Sequence, residues 1–204
     1  MLKSLILVIL FATPAFACPR IYGIKDTNCD GKLRLVFFGD SMTQGIGAGP
    51  GEDYPSQVGK VLPRAIIVNY GSSGESTFDG VIRAKALFAS EKKKADYVFI
   101  LEGLNDYPLG RPIPESMTNL FQMRNYAINA GAKPMLGSLV YLPYSGAVTD
   151  YVNTFNAWLS AFIQMDFSIL TDAHLHIGQP FSGHPNAEGY KAMAAIAINA
   201  MLDS

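Results

Sequence analysis

From Leu33 onward, short apolar runs alternate with longer amphipathic stretches, and this alternation limits the chain to few architectures. The runs Leu33–Phe38, Ala65–Asn69, Tyr97–Leu101, Pro134–Val140 and Phe167–Leu170 are short and almost uniformly apolar, and they read as buried strands. Between them, Met117, Leu120, Phe121 and Ile128 recur at helical spacing, as do Val152, Phe155, Leu159, Phe162 and Ile163, so each stripe predicts a helix that covers one sheet face. Gly131 ends the first of these helices, and Thr149 or Asp150 is the expected cap of the second. The segment from Asn186 to Met201 carries Tyr190, Met193, Ala194 and Ala197 on one side and reads as the last helix. Parallel strands need crossover connections, so the alternation implies an α/β domain with a mostly parallel sheet between helices. Ligands of such sheets bind beyond the carboxyl ends of the strands. The polar residues that follow each run are therefore the candidate site.

The chain begins with a basic start at Lys3, an apolar stretch from Leu5 to Ala12, and the small-residue exit Ala15-Phe16-Ala17. That pattern is a secretory signal peptide, and the apolar stretch is far shorter than the roughly 20 residues of a membrane span. Cleavage after Ala17 leaves residues 18–204: an N-terminal arm to residue 32 and one domain from residue 33. The expected location is secreted or periplasmic. Cys18 and Cys29, the 2 cysteines, are expected to pair in an oxidising compartment, with a lipid anchor on Cys18 as the competing reading. The net charge of −1 comes with no long basic run, which argues against nucleic acid as a partner. Nothing in the pattern predicts a metal or organic cofactor.

After the first run comes Gly39-Asp40-Ser41-Met42-Thr43-Gln44-Gly45, which puts a hydroxyl on a tight turn at a strand's carboxyl end. After the second comes Asn69-Tyr70-Gly71-Ser72-Ser73-Gly74, and after the third Glu102-Gly103-Leu104-Asn105-Asp106. Glycine lets a backbone N–H approach a ligand closely, and an asparagine amide donates without adding charge. These are the donors an oxyanion needs. Near the C-terminus, His184-Pro185-Asn186 stands directly before the last helix, while His174 and His176 alternate with Ala173 and Leu175 and read as structural or rim residues.

In this order, the clusters resemble the SGNH or GDSL hydrolase family over nearly all of the mature chain. The matching residues are Ser41 in Gly39-Asp40-Ser41, Gly71, Asn105 in Gly103-Leu104-Asn105-Asp106, and His184 in His184-Pro185-Asn186-Ala187-Glu188-Gly189-Tyr190. The resemblance implies a flavodoxin-like three-layer α/β/α sandwich with a five-stranded parallel sheet of order 2-1-3-4-5. It also implies a nucleophilic Ser41, His184 as base, and an oxyanion hole from the Ser41 N–H, the Gly71 N–H and the Asn105 side chain. The small-molecule substrate is then a carboxylic acyl ester of a lipid or a carbohydrate. Asp40, Tyr107 and Tyr141 are expected to touch substrate, within the wider segments Tyr107–Pro112 and Tyr141–Tyr144.

The family places an aspartate three residues before its histidine, and here Phe181 stands in that position. In a serine protease, replacing the corresponding acid by its amide lowers kcat by about 10⁴. The replacements open to this chain are Asp172, Glu188, or a main-chain carbonyl near Phe181 or Ser182. Of these, Asp172 or a carbonyl is preferred. The departure also keeps two other readings open: a weakened acyl-ligand or carbohydrate-binding relative, and an acyltransferase. Separately, Asp26-Thr27-Asn28-Cys29-Asp30-Gly31 spaces its oxygens like a calcium loop. Its twelfth position is Phe37 rather than a closing glutamate, so a plain Asx-rich turn is the expected form.

Overall fold

The structure, a computed structural model, describes residues 18–142, 146–178 and 182–204. The leader, Tyr144 and Phe181 lie outside the described residues. The strands are β1 (Arg20–Ile21), β2 (Ile24–Lys25), β3 (Arg34–Gly39), β4 (Ile66–Gly71), β5 (Tyr97–Leu101), β6 (Lys133–Gly137) and β7 (Ile163–Met165). The helices are α1 (Ser41–Gln44), α2 (Tyr54–Val61), α3 (Thr77–Ser90), α4 (Ile113–Asn129), α5 (Ala147–Leu159) and α6 (Ala187–Leu202). The main sheet has the order β4-β3-β5-β6-β7, parallel throughout. Numbered within the sheet, that is the expected 2-1-3-4-5, so the order reverses beside β3, where α1 begins.

The alternation of side chains along β3 divides the core in two. Leu35 and Phe37 face a cluster with Val58 of α2 and Tyr190, Met193 and Ala197 of α6. Val36 and Phe38 face Phe88 of α3, Met123 of α4 and Phe155 of α5. Both faces are covered, which is why β3 and β5 are buried along nearly their whole lengths rather than on alternate residues. Phe37 stacks on Phe99 with ring centroids 4.4 Å apart and meets Tyr54 edge-on at 5.3 Å. Aromatic pairs of this kind add about 0.5–1.5 kcal/mol beyond the area they bury.

Two expected elements shift. Val152, Phe155 and Leu159 lie on α5, but the chain leaves that helix after Leu159, turns through Ser160–Phe162, and pairs with β6 from Ile163. The fifth strand is therefore Ile163–Met165, and the expected strand at Phe167–Leu170 opens with a 3-10 turn over Phe167–Ile169 instead. The cause is Asp166, whose carboxylate accepts the Ser168 N–H and closes the turn. The N-cap of α5 is Gly146, which places Thr149 and Asp150 inside its first turn. Ile128 is exposed and lies off the buried stripe of α4, while Gly131 sits past that helix with φ 88°.

The arm docks onto the domain. β1 and β2 form a hairpin, Ile24 is fully buried in the core, and Asp96 accepts the N–H groups of Thr27 and Arg34. Cys18 and Cys29 are joined as a disulfide, which occupies the sulfur a lipid on Cys18 would need. In the Asp26–Gly31 loop, Asn28 accepts the Asp30 N–H and Asp30 that of Lys32, two Asx turns, and Asp26 closes the loop by accepting the Gly31 N–H. Among the described residues no group of three or more His, Cys, Asp or Glu is placed to hold a metal ion, and no helix is long and apolar enough to cross a membrane.

Candidate active site

The turn between β3 and α1 sets Ser41. Asp40 caps α1 by accepting the Met42 N–H at 2.9 Å, and Gly45 ends the helix with φ 94°. Ser41 is then the first helical residue, 9 % exposed, with its hydroxyl at the carboxyl end of the sheet. From 143 residues away, His184 brings Nε2 to 2.9 Å from Ser41 Oγ. The main chain of His184 is held from both sides. His176 donates its N–H to the His184 carbonyl at 2.8 Å, and Gly183 donates to the His176 carbonyl at 3.0 Å. Pro185 bridges to Leu175, and Asn186 caps α6. His176 Nε2 also meets the Gly47 carbonyl at 3.1 Å, and His174 Nδ1 bonds within its own turn to Thr171. These two histidines hold the segment that carries His184.

The second cluster is pressed against α1. A Cβ on Gly71 would lie 2.1 Å from the Gln44 nitrogen, so only glycine fits there. The Gly71 N–H, however, donates to Asn69 Oδ1 at 2.8 Å. That bond occupies the amide that the resemblance assigns to the oxyanion hole. Gly74, on the same loop and not singled out by the sequence pattern, offers a second main-chain amide. Gly74 is exposed, has φ 78°, and its N–H, like that of Ser41, finds no acceptor among the described residues. Asn105 stands beside it: its Nδ2 donates to the Glu75 carbonyl at 2.9 Å and reaches Asp40 Oδ2 at 3.4 Å. Gly103 permits this loop, having φ 131° and a Cβ position only 2.3 Å from the Phe155 ring.

Two carboxylates support the site from behind. Asp106 is buried and accepts from the Thr77 N–H at 2.8 Å, Thr77 Oγ1 at 2.6 Å and Ser116 Oγ at 2.5 Å, which ties the Asn105 loop to α3 and α4. Asp40 is 2 % exposed, so it faces inward instead of contacting substrate as expected. Burial pushes its carboxyl up to about 7, helped by the charges of Glu75 and Asp106 and opposed by the Met42 N–H.

A cavity of about 270 Å³ opens beside Ser41, lined by His184, Asn105 and the apolar side chains of Met42, Leu104, Leu142 and Val148. Tyr107 is on its wall. Tyr141 is not; it lines a separate hollow with Asp172. Asp172 begins an exposed 3-10 turn, and among the described residues no ion pair joins it to His184. Glu188 pairs with Lys191 at 2.7 Å.

A family model described as GDSL-like Lipase/Acylhydrolase matches residues 37–192. The chain belongs to this family, and is thereby a hydrolase acting on esters. Among similar solved structures is a member of the lipolytic protein G-D-S-L family from Veillonella parvula, at TM-score 0.71 and 21% identity over 82% of this chain and 97% of that one. Another is a GDSL-like lipase from Bacteroides thetaiotaomicron, at TM-score 0.66 and 18% identity over 93% of each chain. A third is a psychrotrophic esterase from Pseudoalteromonas sp., inhibited by monoethylphosphonate, at TM-score 0.64 and 20% identity over 83% of this chain and 97% of that one. At these identities the likeness is one of fold. No curated protein matches the chain at a significant level.

Proposed function

We propose that the chain hydrolyses carboxylic acyl esters through an acyl-enzyme on Ser41. The observation that carries this reading is the 2.9 Å contact between Ser41 Oγ and His184 Nε2 at the mouth of an apolar cavity. His184 takes the hydroxyl proton as Ser41 Oγ attacks the ester carbonyl carbon. The N–H groups of Ser41 and Gly74 and the Asn105 amide receive the oxyanion. These donors are already in place before charge develops, so little reorganisation accompanies the step. Collapse expels the alkoxide, His184 returns the proton to it, and water then repeats the sequence to release the acid.

The cavity lining favours an apolar acyl group, with Tyr107 at the rim against the alcohol part. His184 is oriented by its main-chain pairing with His176 rather than by Asp172. The leader-like start of the sequence and the Cys18–Cys29 bridge support an exported protein whose mature form begins at Cys18. Sequencing the N-terminus of the exported form checks that.

The test of the reaction is covalent labelling. An alkylphosphonate ester should modify Ser41 alone, detected by mass spectrometry, and abolish turnover of a short-chain chromogenic ester. Labelling elsewhere, or unchanged turnover in Ser41→Ala, removes the proposal and favours a binding relative.

A further inference from the structure

Behind the oxyanion donors lies an acid that the reaction above leaves unused. Glu102 ends the buried run of β5 and is 1 % exposed, and neither of its carboxyl oxygens has a donor among the described residues. Leaving a buried charge without partners is among the most costly arrangements in a folded protein. Its neighbours make matters worse. A Cβ on Gly80 would lie 3.5 Å from Glu102 Oε1 and 3.5 Å from Glu75 Oε2, so the two glutamates converge over that glycine. Asp40 adds a further negative charge from the β3–α1 turn.

The available cation is directed to Glu75, not to Glu102. Arg83 of α3 grips both Glu75 oxygens, with Nε at 2.6 Å from Oε1 and Nη2 on Oε2. It also donates to the Tyr70 carbonyl at 2.8 Å and covers the Phe38 ring at 4.2 Å. From α4, the side chain reaching this point is the uncharged Met123, its Cε 3.2 Å from the Gly80 Cβ position. As two carboxylates, Glu75 and Glu102 have no proton to share. One proton on Glu102 turns their contact into a hydrogen bond.

We infer that Glu102 is a positioning residue whose carboxylic proton donates to Glu75, and so holds the Ser72–Ser76 loop against the end of β5. The inference rests on the proposed ester hydrolysis. Glu75 follows Gly74, and its own carbonyl takes the Asn105 amide at 2.9 Å. The two oxyanion segments are thus joined twice through a single residue, once by main chain and once by side chain. The protonated state agrees with the direction of titration, since burial first, then the charge of Asp40 and the bond to Glu75, raise the Glu102 carboxyl well above the ordinary glutamate value, against Arg83. When Glu102 ionises, two like charges face each other without solvent and the Gly74 amide loses its placement.

The sign follows from linkage. The folded state holds a proton that the unfolded chain releases above the ordinary glutamate pKa. The stabilisation is complete below that value and is lost as pH rises through the folded one. Asp40 titrates in the same cluster, so the pair is read together.

The experiment compares Glu102→Gln and Glu102→Leu with wild type, by kcat and KM on a short-chain ester and by thermal unfolding, each across pH. Glutamine donates to Glu75 without titrating. It should keep kcat within about twofold at neutral pH, remove the loss of kcat at higher pH, and flatten the fall of Tm with pH. Leucine removes the donor and should lower kcat about tenfold or more with KM nearly unchanged, as expected when an oxyanion donor is misplaced. Wild-type behaviour of Glu102→Gln at every pH in both measurements overturns the inference. So does wild-type kcat in Glu102→Leu, or loss of activity in Glu102→Gln equal to that in Glu102→Leu. The unfolding measurement needs no activity, so it still decides on the proton bridge if Ser41 proves not to be the nucleophile or if Glu102→Leu does not fold.

Discussion

The two halves of the site are held by different means. Ser41 grows out of β3, whose residues are buried on both faces, and its turn is closed by Asp40, Gly45 and the pressed-in Gly71. His184 sits in a segment with no regular strand or helix, held by main-chain bonds to His176 and by the cap of α6. The proposed nucleophile is therefore fixed by the core and the proposed base by the pairing of two loops. This difference teaches where each half should fail. Damage on the serine side should register in stability and pH dependence, and damage on the histidine side mainly in turnover.

The largest effect expected is from His184→Ala, a loss of about 10⁴ or more in kcat with an unfolding midpoint close to wild type. Adding Ser41→Ala should lower the rate little further, since a proton acceptor has no role without its donor; additive losses would contradict a shared step. Next, Asn105→Ala should reduce kcat by about 10²–10³ while leaving KM within a few-fold, read from steady-state kinetics on one ester.

Asp40→Asn probes the serine side through pH. Because the folded carboxyl is raised to about 7 from its ordinary value of 3.8, its stabilisation is complete below that lower value and is lost as pH rises through about 7. Relative to wild type, the variant should gain stability between about pH 4 and pH 8, by up to a few kcal/mol. A difference that does not change with pH breaks the assignment.

Smaller still is Asn186→Ala, which removes the cap of α6 and the bonds to the Ala173 and Leu175 carbonyls. Denaturant unfolding should show a loss of about 1 kcal/mol. If the loop pairing positions His184, kcat should fall as well, with KM nearly constant. At the end of the scale, Asp172→Asn should change kcat by less than about twofold, because the residue lines a different hollow from the cavity beside His184. A loss near 10⁴ would restore it as the histidine's partner.

Much of this was readable in residue order alone. Runs apolar on every position announced strands covered on both faces, and glycines next to polar residues at strand ends marked where the rim chemistry would be. The family blocks then named Ser41, Asn105 and His184. Local pattern suffices for these because strand periodicity, turn chemistry and helix caps depend on residues near each other in the chain. The sequence did not separate Gly71 from Gly74, place the fifth strand at Ile163, or set Asp40 and Tyr141 apart from the cavity beside Ser41. Each of those outcomes depends on which partner occupies a given N–H or carboxyl in three dimensions: Asn69 on Gly71, Asp166 on Ser168, Met42 on Asp40. Hydrogen-bond competition and burial are properties of the folded packing. The meeting of Glu102 with Glu75 is the clearest instance, since two acids 27 positions apart in the chain carry no signal until the sheet brings them to one glycine.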